Sequence, residues 1–188
     1  YPDSLLANAG KMLEGQHMIH IDNVSRAREI FHEMIEIFSD FPLKPEVDFA
    51  IAYTLELEGE WLKAAALYAS WLEDNPEHPY QARAAYAVAW CTGQQGLVAE
   101  AAEKYRQFLK NHSDHELALN ARLWIGNYHF NRQEFELAVR QYAAILQETE
   151  GSNPQRHLAA LMAGRASFRQ AEYQNAIRYL SGLQGELV

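Results

Sequence analysis

The stretch Gly59-Glu60-Trp61-Leu62-Lys63-Ala64-Ala65-Ala66-Leu67-Tyr68 decides the fold. Its Trp61, Ala64 and Tyr68 stand three and four residues apart, the spacing of one face of an α-helix. The same face returns along the chain: Val24, Ala27 and Phe31 come 37 residues earlier, and Val98, Ala101 and Tyr105 come 37 later. Phe135, Ala138 and Tyr142 follow after another 37, and Tyr173, Ala176 and Leu180 after 38. Twelve residues before each alanine stands a small residue: Gly15, Ala52, Ala89, Gly126 and Gly164. A constant period of this size marks supersecondary units that cannot bury an apolar face alone and must stack on their neighbours.

Each period holds two amphipathic helical patterns. In the second, Ile51, Ala52 and Leu55 form the first apolar face, Gly59 breaks the helix, and Trp61 to Leu72 form the second. Asn75-Pro76 then closes the repeat. The spacing predicts helix pairs over 4–20 with 23–38, 46–58 with 60–74, 78–94 with 97–111, 115–132 with 134–148, and 155–170 with 172–184. Strand alternation is absent, so the class is all-α. The five repeats run over about 4–40, 45–76, 78–113, 115–150 and 154–186, forming a single segment over 1–188. The small residues have a packing reason, because antiparallel helices approach to about 8–9 Å only where the contact carries Gly or Ala. Gly126 and Ala138 provide that gap, and Phe135 and Tyr142 fill the space on either side.

The motif Gly59-x-Trp61-x-x-Ala64-x-x-x-Tyr68…Pro76, together with Gly126…Phe135-x-x-Ala138…Tyr142, resembles the tetratricopeptide (TPR) repeat. The resemblance covers residues 4–185 and implies a right-handed α-solenoid of about five helix-turn-helix units. The chain departs from the pattern in its longer period, in Ser113 where the closing Pro is expected, and in a first repeat poor in aromatics. Asn120-Ala121-Arg122-Leu123-Trp124-Ile125-Gly126 and His78-Pro79…Ala84-Ala85-Tyr86 are similar to the long-period TPR units of the CpoB/YbgF and BamD families of bacterial envelope proteins. Those families imply an adaptor without catalysis, in the periplasm or cell envelope rather than the cytoplasm.

The resemblance also implies a working surface, because the first helices of TPR arrays line a concave groove. Here the groove positions are Phe49, Tyr53 and Glu56, then Tyr86 and Trp90, then Asn127 and Phe130, and finally Arg165, Phe168 and Arg169. Glu46 and Glu60 add acids to the first part, with Leu123, Leu161 and Gly93 at neighbouring groove positions. Aromatics dominate interface hot spots because they bury large area with few rotatable bonds. The same rings could instead pad neighbouring first helices. The groove is thus expected to hold a peptide or helix of a protein partner, its basic part against the first two repeats and its acidic part against the fifth. Phe49, Tyr53 and Ala87 stand where the carboxylate clamp of chaperone-binding TPR proteins needs Lys or Asn, which speaks against a chaperone C-terminus.

Composition agrees with a packed scaffold. Hydrophobic residues make up 48% of 188, ample for a core, and no apolar run reaches the roughly 18 residues of a membrane span. The net charge is −9, and residues 1–76 carry 5 Lys/Arg against 14 Asp/Glu while 77–188 carry 11 of each. An acidic chain without a basic stripe argues against nucleic acid. The chain opens on Tyr1-Pro2 and closes on Val188 without a polar capping helix, which leads us to expect a segment of a longer array, able to self-associate through its repeat ends.

No cofactor, metal or catalytic set is expected. Cys91, the single cysteine, has no readable base partner and falls at a small-residue position. His17/His20 and His112/His115 have the spacing of paired ligands but no evident third ligand, and read as solvated surface. His32-Glu33 lacks the second histidine of the zinc-protease helix, and neither a phosphate-binding glycine loop nor a Gly-x-Ser-x-Gly elbow occurs. The remaining readings are a regulatory or substrate-presenting arm of a larger enzyme and a spacer that assembles through its outer face or ends. The proposed register predicts that Ala138→Leu overpacks its contact and costs about 1–3 kcal/mol, which thermal denaturation would show.

Overall fold

The computed structural model describes residues 5–38, 41–151 and 153–182. Among these residues there are ten α-helices and no strand. They are α1 Leu5–His20, α2 Val24–Ile37, α3 Lys44–Leu57, α4 Trp61–Asp74, α5 Gln81–Gln94, α6 Val98–Asn111, α7 Ala118–Asn131, α8 Phe135–Glu148, α9 Pro154–Arg169 and α10 Tyr173–Ser181. The five expected helix pairs are therefore present, and the molecule is an all-α helical repeat. The expectations for Pro2, Ser4, residues 39–40 and residues 183–188 lie outside the described residues.

The chain divides into two compact units at Leu97 and Val98, between the two helices of the third repeat. In the N-terminal unit α1 to α5 pack in succession, each on its neighbour within the unit. One core cluster gathers Ala27, Phe31, Met34, Phe41, Val47 and Ile51, and a second gathers Ala52, Ala64, Tyr68, Trp71, Val88 and Cys91. In the C-terminal unit α6 to α10 pack in succession, and the first helices α7 and α9 also touch. The core there joins Ala138, Tyr142 and Ile145 to Ala159, Ala163 and Ala166.

In α1, α7 and α9 the glycine of the first helix receives a large side chain from its partner helix. A Cβ on Gly126 would lie 2.5 Å from Cε1 of Tyr142, and one on Gly164 would lie 2.7 Å from Cγ of Leu180. A Cβ on Gly15 would collide with the Phe31 ring. The expected arrangement, with Tyr142 beside a gap made by Gly126 and Ala138, is thus corrected: the ring lies directly on the glycine. Ala27, Ala64, Ala101 and Ala138 are fully buried, and Ala176 nearly so. Tyr68, Tyr105 and Tyr142 are among the largest side chains removed from solvent. Trp61 and Phe135 are half-buried, whereas their counterpart Tyr173 is exposed.

The turn inside each repeat is the same device five times. Asp22, Gly59, Gly96, Gln133 and Ala171, again 37, 37, 37 and 38 residues apart, all take left-handed φ values between 61° and 81°. At 22, 59, 133 and 171 the next residue's N–H reaches back to close a Schellman turn, as in Glu60 N to Leu55 O at 2.9 Å and Glu134 N to His129 O at 2.9 Å. Glycine adopts this backbone freely. Asp tolerates it, and Gln133 and Ala171 hold it at a cost in Cβ contacts.

Helices α5 and α7 begin three residues later than the periodicity predicts, at Gln81 and Ala118. The delay comes from side chains that bind the backbone before the helix starts. His78 Nδ1 accepts the Tyr80 N–H at 3.1 Å, and His115 Nδ1 accepts the Leu117 N–H at 3.2 Å. Asn153 Oδ1 does the same for the Gln155 N–H at 2.9 Å, one period further on, at the N-cap of α9. Helix α3 instead starts two residues early, at Lys44, with Pro45 in its first turn, where a missing N–H costs nothing.

Relieving the left-handed strain should stabilise the fold. Ala171→Gly or Gln133→Gly is expected to gain up to about 1 kcal/mol in urea denaturation. Gly126→Ala, which drives a methyl into the Tyr142 ring, should lose about 1–3 kcal/mol in the same assay.

Candidate functional site

The first-helix residues singled out from the sequence fall on α3 and α5 in the N-terminal unit and on α7 and α9 in the C-terminal unit. The two sets meet different fates.

On α3, Phe49 is engaged in the core: its ring centroid lies 5.1 Å from Tyr68, 5.6 Å from Trp71 and 5.2 Å from Tyr80. Tyr53, one turn later, is 38% exposed. Glu56 accepts a hydrogen bond from the Tyr68 hydroxyl at 2.9 Å. On α5, Tyr86 is half-buried and Trp90 packs partly against the second core cluster. The acids expected to attract a basic partner already have partners of their own. Glu46 faces His78 at 3.4 Å, Glu56 holds Tyr68, and Glu60 pairs with Lys63 at 3.0 Å.

On α7, Asn127 accepts from the Tyr142 hydroxyl at 2.8 Å, which ties it to the core contact at Gly126. Phe130 meets Phe135 edge to face at 5.4 Å. Both rings carry a guanidinium from α9: Arg165 lies 5.5 Å from the Phe130 centroid and Arg169 5.7 Å from that of Phe135. Phe168 is 62% exposed and touches Tyr173 at 5.5 Å. Leu161, a turn before Arg165, is 43% exposed.

Solved structures with this arrangement of paired helices bear on the reading. A tetratricopeptide repeat protein from Parabacteroides merdae superposes with a TM-score of 0.74 at 16% identity, covering 96% of this chain and 66% of that one. MamA from Desulfovibrio magneticus gives 0.71 at 12% identity over 95% and 93%, and the apo form of RapI gives 0.74 at 13% over 93% and 68%. The fold is that of the tetratricopeptide repeat. No family model and no curated protein matches the chain, and the narrower likeness to the CpoB/YbgF and BamD families finds no support among these structures.

Several polar groups that drew attention in the sequence prove to hold the TPR frame together. His115, read as solvated or metal-directed, caps the approach to α7, and His78 is its counterpart one period earlier. A side-chain acceptor at 78, 115 and 153 was a readable periodic signal that the search for metal ligands passed over. His129 is buried and its Nδ1 lies 2.6 Å from Glu134, which also takes the Arg132 Nε at 3.0 Å. These two partners, His129 foremost, hold the Glu134 carboxyl below its ordinary range. His17 and His20 sit exposed on the last turn of α1, and among the described residues no group of three or more His, Cys, Asp or Glu could hold a metal. Cys91 is fully buried. Burial, aided by the nearby Glu56 charge, pushes its thiol up to about 12, so the thiolate required of a nucleophile is suppressed at neutral pH.

Burial raises the Glu56 carboxyl above its ordinary range, and the Tyr68 hydrogen bond only partly opposes this. Between its unfolded and folded values, the folded protein therefore holds a proton that the unfolded chain has released. The stability this contributes is complete below the unfolded carboxyl value and is lost as pH rises through the higher folded value. Glu56→Gln keeps an acceptor for Tyr68 but cannot ionise. Its urea midpoint should gain on wild type as pH is raised from about 4 towards neutrality. Parallel curves would show that Glu56 bears no burial penalty.

Proposed function

We propose that this chain is a non-catalytic protein-interaction scaffold that holds a peptide or helix of a protein partner on the exposed face of its first helices. The observation carrying the reading is Tyr53 on α3. It is a large aromatic left more than a third exposed on a helix whose neighbouring ring, Phe49, is engaged in the core. A partly exposed ring held on a rigid helix offers large contact area at little entropic cost. Trp90 on α5, half-buried against the core, adds a second ring of the same kind. The tetratricopeptide fold favours such a use, since a rigid stack of helices presents side chains without rearrangement. The envelope setting implied by the resemblance to bacterial adaptor proteins belongs to the same proposal.

The reading is tested by retaining partners from native lysate, separated into soluble and envelope fractions, on the wild-type chain and on Tyr53→Ala/Trp90→Ala. Both proteins are first shown to share helicity and melting temperature. A partner held by wild type and weakened about tenfold or more by the double variant is the expected result. Its fraction of origin tests the envelope setting. Equal retention by both would move the function to the outer helices and leave the aromatics as padding.

A further inference from the structure

The arginines of α9 are arranged unlike the other charged groups on the first helices described above. Glu46, Glu56 and Glu60 each have a protein partner. Arg165 and Arg169 lie on aromatic rings instead, and among the described residues neither has a carboxylate within ion-pair distance. The one polar contact of Arg165 is a weak one to the Met162 sulfur at 3.5 Å. Glu172, the next acid along the sequence, accepts from the Asn175 amide at 3.5 Å.

Cation–π attraction to a ring leaves a guanidinium's N–H groups available, and those groups bind a carboxylate in a two-pronged manner. The two platforms, Phe130 and Phe135, are themselves in edge-to-face contact at 5.4 Å. Their two cations stand at i, i+4 on one face of α9, a like-charge spacing that is unfavourable until an anion joins it. Around them α9 presents Leu158, Leu161 and Phe168, all exposed. Positions 158, 161, 165, 168 and 169 follow the three- and four-residue steps of a single helical stripe, apolar and basic by turns.

We propose that this stripe of α9 is a docking site for an acidic amphipathic segment of a partner protein. Paired carboxylates of the segment meet Arg165 and Arg169, and its apolar side chains cover Leu161 and Phe168. The proposal rests on the scaffold reading and adds the chemistry of the partner. Charge complementarity selects the occupant: among the described residues no carboxylate lies within ion-pair distance of either cation. Single-stranded nucleic acid could also use arginine and an exposed ring. The acidic peptide is favoured because the chain carries a net charge of −9, and a run of phosphates needs a longer basic track than two guanidiniums.

The test is a display selection of random 16-residue peptides on the full chain, followed by affinity measurement of the enriched sequences at low and high salt. An oligothymidine of 16 nucleotides is titrated alongside. Enriched peptides should carry Asp or Glu interleaved with apolar residues, and should weaken about tenfold or more against Arg165→Gln/Arg169→Gln. Arg165→Lys/Arg169→Lys, which keeps charge but loses the planar fork, should fall between. Arg106→Gln/Arg140→Gln removes the same charge from the second helices α6 and α8 and should bind like wild type. All variants are checked for an unchanged melting temperature. Enriched peptides that are not acidic, or that bind the glutamine variant equally, overturn the proposal. If they depend instead on Tyr53 and Trp90, the scaffold reading survives without it. Failure to enrich any peptide ends both, and tighter binding of the oligonucleotide replaces the peptide with nucleic acid.

Discussion

Contact between a side chain with no bulk and one with a great deal governs this molecule. Gly126 lets the Tyr142 ring rest on the α7 backbone, and Gly164 does the same for Leu180. Such a contact sets the distance between two helices to within a methyl group. In α8 it also removes the Tyr142 ring from water, at roughly 25 cal/mol for each Å² of apolar surface. Once that distance is set in each repeat, the second helix can offer the next first helix a surface of constant shape. The tyrosine hydroxyls then need partners, because a buried donor left unpaired is costly. Tyr68 finds Glu56 and Tyr142 finds Asn127, so two of the polar residues on the first-helix face are recruited by the packing.

The loops obey the same regularity through backbone geometry. Each left-handed residue reverses the chain within three positions and hands the next helix its first carbonyl acceptor. Glu60 O, for example, accepts from Ala64 N, and Glu134 O from Ala138 N. The alanine that keeps the period is thus placed twice over, by its burial and by the hydrogen bond that starts its helix. At the other end of the repeat, His78 and His115 delay the next helix by binding the backbone first, whereas Asn153 caps α9 directly.

Most of the architecture was legible in the sequence, because period and helical spacing depend on local steps that repetition amplifies. The ten helices, the period-keeping alanines and the helix break at Gly59 could all be placed in this way. Three features could not. Asp22, Gln133 and Ala171 hide their left-handed turns because a residue other than glycine can be forced there by the helices on both sides. The late starts of α5 and α7 come from imidazoles whose role shows only once their Nδ1 atoms are placed. The candidate site was legible as a set of helix positions but not as a surface. Phe49 and Tyr53 are one turn apart on the same helix, yet one meets Tyr68, Trp71 and Tyr80 while the other stands partly in solvent. A single helix cannot reveal which of its faces a neighbour will cover. The stacking of Arg165 and Arg169 on rings from the preceding repeat was hidden for the same reason, being a contact between residues about 35 positions apart.

The lone cysteine acquires a use from its burial. Cys91 sits in the core of the N-terminal unit, beneath α4 and α5, with its thiol held protonated. A thiol reagent in solution can reach it only when that core opens, so the modification rate counts excursions of the N-terminal unit away from its packed state. The C-terminal unit, whose described residues include no cysteine, is silent to the same reagent. The chain thus carries a native clock for the breathing of one of its two halves, readable by mass alone and without any label.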